Sequence, residues 1–535
     1  MAPARPLGWR WIGQVPATAG VWRPLLAAAL ALVAVLPSVY LLLAALPILR
    51  DGGWLSHFTS TTLPHQALTS LIVALKATGV AFAVGALPAI IVARFDFRLR
   101  WLVSTLSLLP LLFAPHVLAS TWTVTFSADF FAGKHALAIE LGLCAAPYLF
   151  ILWRIAASRI PSSLGELASA LGHGLWSRVV RVHAPSYAVP VAASLMIVFA
   201  LSLGDYAAAE RLGIETLSVG IHTLWFASQS SSVAAIVSFV LIVPTVALVL
   251  AAAWASTSII SQNPIPPAAA GATRKPLSAG ATSALLAWCG VWALPGFFIP
   301  EAITLRWAWL NWHRTRFADI PGDILNSALT ALSTVVVVFG VCALVALVMR
   351  SGARSRWSER MPWLFLSNFF LPSLVLALAF VMMSRDGSLV AELLGPLRDS
   401  RLLIVASESL RFLPFALLPA LDALRRTPPA MIELARAFGA GPVRARATAF
   451  AGHLAPALVA GCALVFIEAV KELDLSLTLQ PFGYSSLALK IYAFSRFQNM
   501  DRAAAWVLLT QALIVLPFLL LLWRLHRLGA REMVR

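Results

Sequence analysis

Residues 166–172 read Glu-Leu-Ala-Ser-Ala-Leu-Gly, and residues 433–439 read Glu-Leu-Ala-Arg-Ala-Phe-Gly. The two stretches lie 267 positions apart, about half of the 535-residue chain. A further glycine follows each stretch two positions later, at Gly174 and Gly441. Self-similarity at a fixed spacing is the sequence signature of a repeated structural unit. The chain is therefore predicted to contain two copies of one unit.

Each copy of the repeat is predicted to form a short helix with an apolar stripe. The stripe residues are Leu164, Leu167 and Leu171 in the first copy and Met431, Leu434 and Phe438 in the second. Gly172 and Gly439 are placed to end these helices. An exposed apolar helix either lies on lipid headgroups or docks into the groove of a partner. Duplication with the same glycines favours docking.

The sequence around the repeats is strongly apolar, with 60% hydrophobic and 12% charged residues and a mean hydropathy of +0.84. Soluble domains carry about 45–50% apolar and about 25% charged residues, so soluble, fibrous and disordered classes are excluded. Runs long enough to span a membrane, about 20 residues each, occur twelve times. They lie near 25–49, 68–93, 102–126, 136–153, 188–208, 233–260, 281–300, 325–349, 362–384, 402–421, 455–476 and 503–523. The predicted fold is an all-α polytopic membrane protein, with about 12 transmembrane helices in two parallel six-helix repeats.

The connecting segments predict how the chain is divided and oriented. The first half covers 1–260, with its repeated loop near 159–190, and the second covers 281–535, with its loop near 426–457. The Pro- and Ala-rich segment 261–280 reads as a cytoplasmic linker. With both termini in the cytoplasm, the cytoplasmic segments hold 25 of the 40 Lys and Arg residues, as the positive-inside rule requires.

Other site classes find little support in the composition. The net charge of +17 is explained by cytoplasmic loops of a membrane protein, so no nucleic-acid partner is expected. The four cysteines are widely spaced and the ten histidines show no ligand spacing, so no metal site is predicted. No catalytic residues are predicted either, because no convergent polar constellation is visible at a membrane face.

The repeated loop resembles the EAA loop of ABC importer permeases. The matching positions are Glu166, Ala168, Gly172 and Gly174 in the first copy and Glu433, Ala435, Gly439 and Gly441 in the second. The segments 199–206 and 471–484 are in turn similar to fused two-domain permeases of the ferric iron and thiamine type. Lys471-Glu472-Leu473 and the Pro-Phe-Gly-Tyr at 481–484 lean toward the ferric iron branch, and sulfate, phosphonate and polyamine permeases share parts of the pattern.

The resemblance implies a mechanism and a set of partners. A periplasmic binding protein would deliver the substrate to a multi-pass permease in a bacterial inner membrane. Two ABC ATPase subunits would dock on the two loops inside, and ATP binding would close them and turn the pathway outward. This chain lacks the P-loop pattern, so ATP is expected to be used by the partner ATPase, and no cofactor is expected on the chain itself.

Charged residues at membrane depth are costly and become functional hypotheses. We assign Asp205, Tyr206, Glu468, Lys471 and Glu472 to the translocation pathway. Glu468 and Lys471 are three positions apart, as are Glu408 and Arg411, so each pair could instead neutralise itself on one helix face. Lys76, in the second span, is expected to pair with an acid on a neighbouring helix. Glu140 is a further candidate.

Two alternatives remain at this stage. A twelve-span secondary transporter driven by an ion gradient is also built from two six-span halves. That class would place its long cytoplasmic loop between the halves, whereas here the two longest cytoplasmic loops are the duplicated ones. A polytopic membrane enzyme would need a catalytic constellation that the scattered histidines do not supply.

Overall fold

The computed structural model describes most of the chain. The described residues are 22–52, 59–126, 133–159, 167–174, 177, 181, 184–228, 236–238, 275–315, 317–349, 364–365, 367–385, 387–426, 429–441, 444–445 and 454–530. Up to residue 228 the elements are α1 (Trp22–Asp51), α2 (Leu63–Arg94), β1 (Phe95–Asp96), α3 (Arg100–Leu108), a 3₁₀ turn (Leu109–Leu112), α4 (Pro115–Thr125), α5 (Lys134–Arg159), α6 (Ala184–Leu203), α7 (Ala207–Arg211) and α8 (Leu217–Ser228).

From residue 275 onward the chain again consists of long helices joined by short helices and turns. They are β2 (Lys275–Pro276), α9 (Ala279–Ala293), a π-helical turn (Leu294–Phe298), α10 (Ile299–Asn311), a 3₁₀ turn (Trp312–Arg314), α11 (Ile320–Met349), α12 (Ser373–Met383), α13 (Leu389–Leu394), a 3₁₀ turn (Gly395–Asp399), α14 (Leu402–Arg426), α15 (Pro429–Ala437), α16 (Leu454–Lys471), α17 (Asp474–Leu479), α18 (Leu487–Arg496) and α19 (Met500–Ala530).

Eight helices in the described part of the chain are long and apolar enough to cross a membrane, or nine if one bent pair counts as a span. The predicted spans near 188–208 and 362–384 correspond to shorter apolar helices, within α6 and α12. The predicted span near 233–260 falls outside the described residues except for 236–238. The all-helical, multi-span class predicted from the sequence is confirmed.

The third span differs from its prediction as one continuous helix over 102–126. The chain bends by 91° between the 3₁₀ turn that follows α3 and the start of α4. Pro110 and Pro115 flank the bend, and each lacks the amide hydrogen that a continuous helix would need. Phe113 and Ala114 between them are extended. The break therefore exposes backbone carbonyls within the helical bundle.

Corresponding helices pack in the same way in the two parts of the chain. Helix α2 packs against α5 and α6, and α11 packs against α14 and α16. One apolar core joins the two sets, because it contains Phe150 of α5 together with Phe412 of α14 and Val465 of α16. The apolar core between the two sets of helices is therefore built from side chains of both sets.

A two-residue parallel sheet ties the chain together near the predicted linker. Phe95 pairs with Lys275 and Asp96 with Pro276, and the Leu277 amide donates to the Asp96 carbonyl at 3.0 Å. Residues 275–280 belong to the predicted linker, whereas 261–274 lie outside the described residues. The end of the linker and the segment after α2 therefore lie on the same side of the bundle.

Candidate functional site

The two repeated loops have the same backbone conformation. In each loop three successive amides donate to carbonyls of the preceding turn, and every partner in the second loop lies 267 positions after its counterpart. The bonded pairs are Leu171–Leu167, Gly172–Ser169 and His173–Ala168, then Phe438–Leu434, Gly439–Arg436 and Ala440–Ala435, at 2.9 to 3.1 Å. This is the hydrogen-bond pattern of a helix that ends at a left-handed residue.

The backbone conformation of the loops explains why each has a glycine at the end of its helix. Gly172 and Gly439 have φ of +79° and +82°, a conformation that costs other L-residues about 1–2 kcal/mol. The remaining predicted coupling residues divide by burial. Ala168 is buried, Ala435 is half-buried, and Gly174, Glu433 and Gly441 are exposed. Glu166 lies outside the described residues.

The apolar stripe of each loop is open to its surroundings. Leu167 and Leu171 are 59% and 69% exposed, and Leu434 and Phe438 are 59% and 83% exposed. A pair of short helices with the same geometry and the same exposed apolar face is suited to receive two copies of one partner.

The chain also breaks at equivalent points after α6 and α16. The Asp205 carboxylate accepts the Ala208 amide at 2.9 Å, and the Glu472 carboxylate accepts the Leu475 amide at 3.2 Å. Asp205 and Glu472 are again 267 positions apart. Each carboxylate thus stabilises the start of a short helix, α7 or α17, at the far end of a membrane helix from the repeated loop.

A second matched contact holds the next helices. The first amide of α8, at Leu217, donates to the Ser70 hydroxyl of α2 at 2.7 Å. The first amide of α18, at Leu487, donates to the Ser327 hydroxyl of α11 at 2.9 Å. The two halves therefore use the same device to attach the segment that follows the break.

A cavity of about 110 Å³ lies between these two broken regions. Its charged lining consists of Asp205, Arg411, Glu468, Lys471, Glu472 and Asp474. Four carboxylates against two cations give the lining an acidic balance. Two further polar atoms at the wall, His116 Nε2 and Ser202 Oγ, have no hydrogen-bond partner among the described residues. The cavity is therefore polar and suited to a cation.

One network crosses this cavity from one half to the other. Lys471 Nζ lies 2.6 Å from the Glu468 carboxylate and donates to the Leu111 carbonyl at 3.1 Å. The Tyr148 hydroxyl of α5 donates to the same Glu468 carboxylate. The Leu111 carbonyl is free to accept because the span bends just after it. The predicted self-neutralising pair of Glu468 and Lys471 is therefore confirmed, and it also joins the two halves.

Two other predicted pairings are wrong. Glu408 accepts from Thr334 at 2.8 Å, and Arg411 donates to the Leu371 carbonyl at 2.6 Å, so these two side chains do not pair with each other. Lys76 lies 3.4 Å from Nδ1 of His135, an imidazole and not an acid. In each case the partner comes from another segment of the chain. The spacing of residues along one helix cannot predict such a partner.

Tyr206 lies beside the cavity and not in its wall. Its side chain is buried, its hydroxyl lies 3.1 Å from that of Tyr492, and its ring stacks on His222. Sequence reasoning missed Tyr148, Tyr492 and Glu210 because nothing local distinguishes them. Among the described residues, no group of three or more His, Cys, Asp or Glu side chains is placed to hold a metal ion.

The comparisons with known proteins agree with this geometry. Residues 81–260 match the family described as "Binding-protein-dependent transport system inner membrane component". The chain is also similar to the Fe(3+)-transport system permease protein FbpB 2 of Haemophilus influenzae. The two are 21% identical over 525 residues, which cover 94% of this chain and 97% of the relative. This chain is a permease of the binding-protein-dependent type.

The assignment decides between the classes that the sequence left open. The permease is a multi-pass inner-membrane subunit of an ABC importer, and the secondary-transporter reading is set aside. The matched region begins within α2 and extends past α8, so it includes the first repeated loop and Asp205. It ends at residue 260, where the predicted linker begins.

Proposed function

We propose that this permease imports ferric iron through a pathway between its two halves. The observation that carries the proposal is the acidic cavity, to which both halves contribute carboxylates. A confined site with excess negative charge concentrates cations and excludes anions. The relative named above as an Fe(3+)-transport permease aligns with nearly the whole chain and supports the same cargo.

The repeated loops are proposed as the docking sites of two ATPase subunits. Their identical backbones and exposed apolar faces suit two copies of one partner. Helix α6 has 20 residues, so it separates the first loop from Asp205 by about 30 Å at 1.5 Å per residue, the thickness of a bilayer core. ATP would therefore act on one side of the membrane and the cargo would enter from the other.

The organisation of the chain follows from this arrangement. Residues 1–260 and 281–535 form two halves joined by the 261–280 linker, with the loops and both termini in the cytoplasm. The matched contacts of Ser70 and Ser327, and of Asp205 and Glu472, support the duplication. The chain itself holds no ATP, and its other partner is a periplasmic binding protein that delivers the ion.

Uptake in a strain that lacks this permease tests the cargo. Cells expressing the chain with its binding protein and ATPase are given radiolabelled ferric iron or radiolabelled thiamine. We expect ATP-dependent uptake of iron and background uptake of thiamine. Thiamine uptake without iron uptake would overturn the proposed cargo while leaving the permease assignment intact.

The subunit ratio is tested separately. Because one chain supplies both loops, we expect one permease and two ATPase subunits per complex. Mass spectrometry of the intact purified complex gives this ratio directly, and two permease chains per complex would contradict the two-half organisation.

A further inference from the structure

A cluster of metal-ligating side chains lies at the interface of the two halves, next to the acidic cavity. Tyr206 and Glu210 come from the segment after α6, and Tyr492 comes from α18 in the second half. The Tyr492 hydroxyl donates to the Glu210 carboxylate at 2.6 Å and lies 3.1 Å from the Tyr206 hydroxyl. The Tyr492 oxygen thus lies within 3.1 Å of both the Glu210 and the Tyr206 oxygens.

We propose that these three oxygens form a receiving site for a trivalent hard cation, through which ferric iron enters the pathway. The inference rests on the proposed ferric cargo and adds the residues that would take it. Hard cations prefer oxygen ligands, and tyrosine oxygen is an iron ligand in some proteins. Asp205, which directly precedes Tyr206, lines the cavity and provides the next carboxylate along the route.

The spacing of the oxygens suits such a site. Oxygens at adjacent corners of an octahedron with bonds of about 2.0–2.1 Å lie about 2.9 Å apart. The Tyr492–Glu210 and Tyr492–Tyr206 oxygen separations of 2.6 and 3.1 Å lie on either side of that value. A bound cation would replace the two phenolic protons and draw the three oxygens around it.

The charges select for a cation of three positive charges. Binding requires the two phenols to lose one proton each, so two phenolates and one carboxylate together carry three negative charges. The complex with ferric iron is then neutral, and two protons are released per ion. Neutrality matters because Ala207, Leu473 and Leu489 pack around the two tyrosines, and an unbalanced charge in apolar surroundings is costly.

Two features of the surroundings bear on entry and release. Tyr206 and Tyr492 are buried, whereas Glu210 and His222 are only half-buried and give access to the cluster. The His222 ring stacks on Tyr206 with centroids 4.2 Å apart and covers one face of that phenol. Because the ligands come from both halves, separating the halves at this point dismantles the site and frees the ion.

Titration of the purified full-length permease with ferric nitrilotriacetate tests the site. Wild type should develop the visible phenolate-to-iron charge-transfer band. Tyr206→Phe and Tyr492→Phe should each weaken binding at least tenfold, and the double variant should show no band. Tyr484→Phe is the matched control, because its hydroxyl bonds Thr330 at the same interface and lies outside the cluster. Gallium(III) should compete for the site, whereas Mg²⁺ should not.

The outcomes separate this site from the proposed cargo. A band that persists in the double variant overturns the site, and so does a wild-type protein that transports iron but forms no band. In the second case ferric import stands without it. A band in wild type together with no ATP-dependent iron uptake by the intact system removes the proposed cargo, while the site remains a trivalent-cation site. Co-purification of the ATPase verifies that each variant is folded.

Discussion

The repeated loops and the segments after the breaks differ in how much of the duplication they keep. In the loops, three backbone hydrogen bonds and the positive φ of a glycine recur at the same offset. After the breaks the capping carboxylates, Asp205 and Glu472, recur at this offset, together with one backbone hydrogen bond, from Glu210 to Tyr206 and from Leu477 to Leu473. At the positions equivalent to Glu468 and Lys471 the first half has Leu201 and Gly204.

This difference separates two kinds of demand on one duplicated chain. Under the proposed function, the loops receive two copies of the same partner and must stay the same in both halves. The cavity would hold one small cargo and has no such requirement, so the halves can differ inside it. Packing also limits which residue can occupy position 204, because a Cβ on Gly204 would lie 2.9 Å from Cα of Pro372 in the other half. A lysine at that position would not fit.

The largest effect is expected from breaking the ion pair that only the second half contains. Lys471→Met leaves the Glu468 charge in a largely buried position, where loss of one partner of a buried pair costs about 3–5 kcal/mol. We expect a lower thermal unfolding temperature in detergent and loss of uptake. The double variant with Glu468→Gln should regain most of the stability but not the uptake. Full recovery of both would show that the pair serves only the fold.

The next effect concerns the part that is the same in both halves. Leu171→Asp and Phe438→Asp place a charge on the exposed apolar stripe of either loop. Losing a central aromatic or aliphatic anchor costs about 2 kcal/mol, which is about 30-fold in affinity. ATPase binding, measured by co-purification and titration, should fall by similar factors in both. Phe497→Asp, at a phenylalanine that is 75% exposed outside the loops, is the control and should bind normally.

A smaller effect is expected from the glycines that end the loop helices. Gly439→Val should lower the ratio of cargo transported to ATP hydrolysed about tenfold, because a β-branched residue resists φ of +82° at a cost of about 1–2 kcal/mol. Gly439→Asn should keep most of the coupling, since asparagine tolerates this conformation. Gly172 should behave in the same way. Equal coupling in the Val and Asn variants would argue against the backbone explanation.

The smallest effect is expected at the capping carboxylates. Asp205→Asn and Glu472→Gln keep an oxygen that accepts the helix amide but remove one negative charge from the cavity. A single charge in a hydrated cavity is worth about 1 kcal/mol, so we expect uptake to fall about fivefold with little change in unfolding temperature. If both variants, and also Asp205→Ala, show wild-type uptake, these carboxylates are not part of the pathway.

The sequence was sufficient for features that are local or periodic. Apolar runs predict spans because the bilayer sets their length, and the repeat at 166 and 433 predicts two equal loops because it carries its own helix-ending glycines. Four of the five predicted pathway residues, all but Tyr206, line the cavity. Ionisable residues are rare enough in spans that position alone selects them.

The remaining features depend on which helices become neighbours. Tyr148 and Glu468 are 320 positions apart, and Tyr492 and Glu210 are 282 apart. Tyrosine is unremarkable in an apolar helix, so neither phenol stands out until the halves are packed together. The same reason explains the wrong partners predicted for Glu408 and Lys76. Pairing by helix spacing considers one helix, whereas burial makes any adjacent helix available.

The bend after Leu111 has a consequence for how the cavity network can be studied and conserved. The oxygen that holds Lys471 there is a backbone carbonyl, so its presence depends on the bend and not on the identity of residue 111. An alanine scan would pass over it without a phenotype. A relative that keeps the two flanking prolines can keep the same oxygen while its side chains change. Proteins only 21% identical can in this way conserve a backbone contact of the cavity that no sequence alignment records.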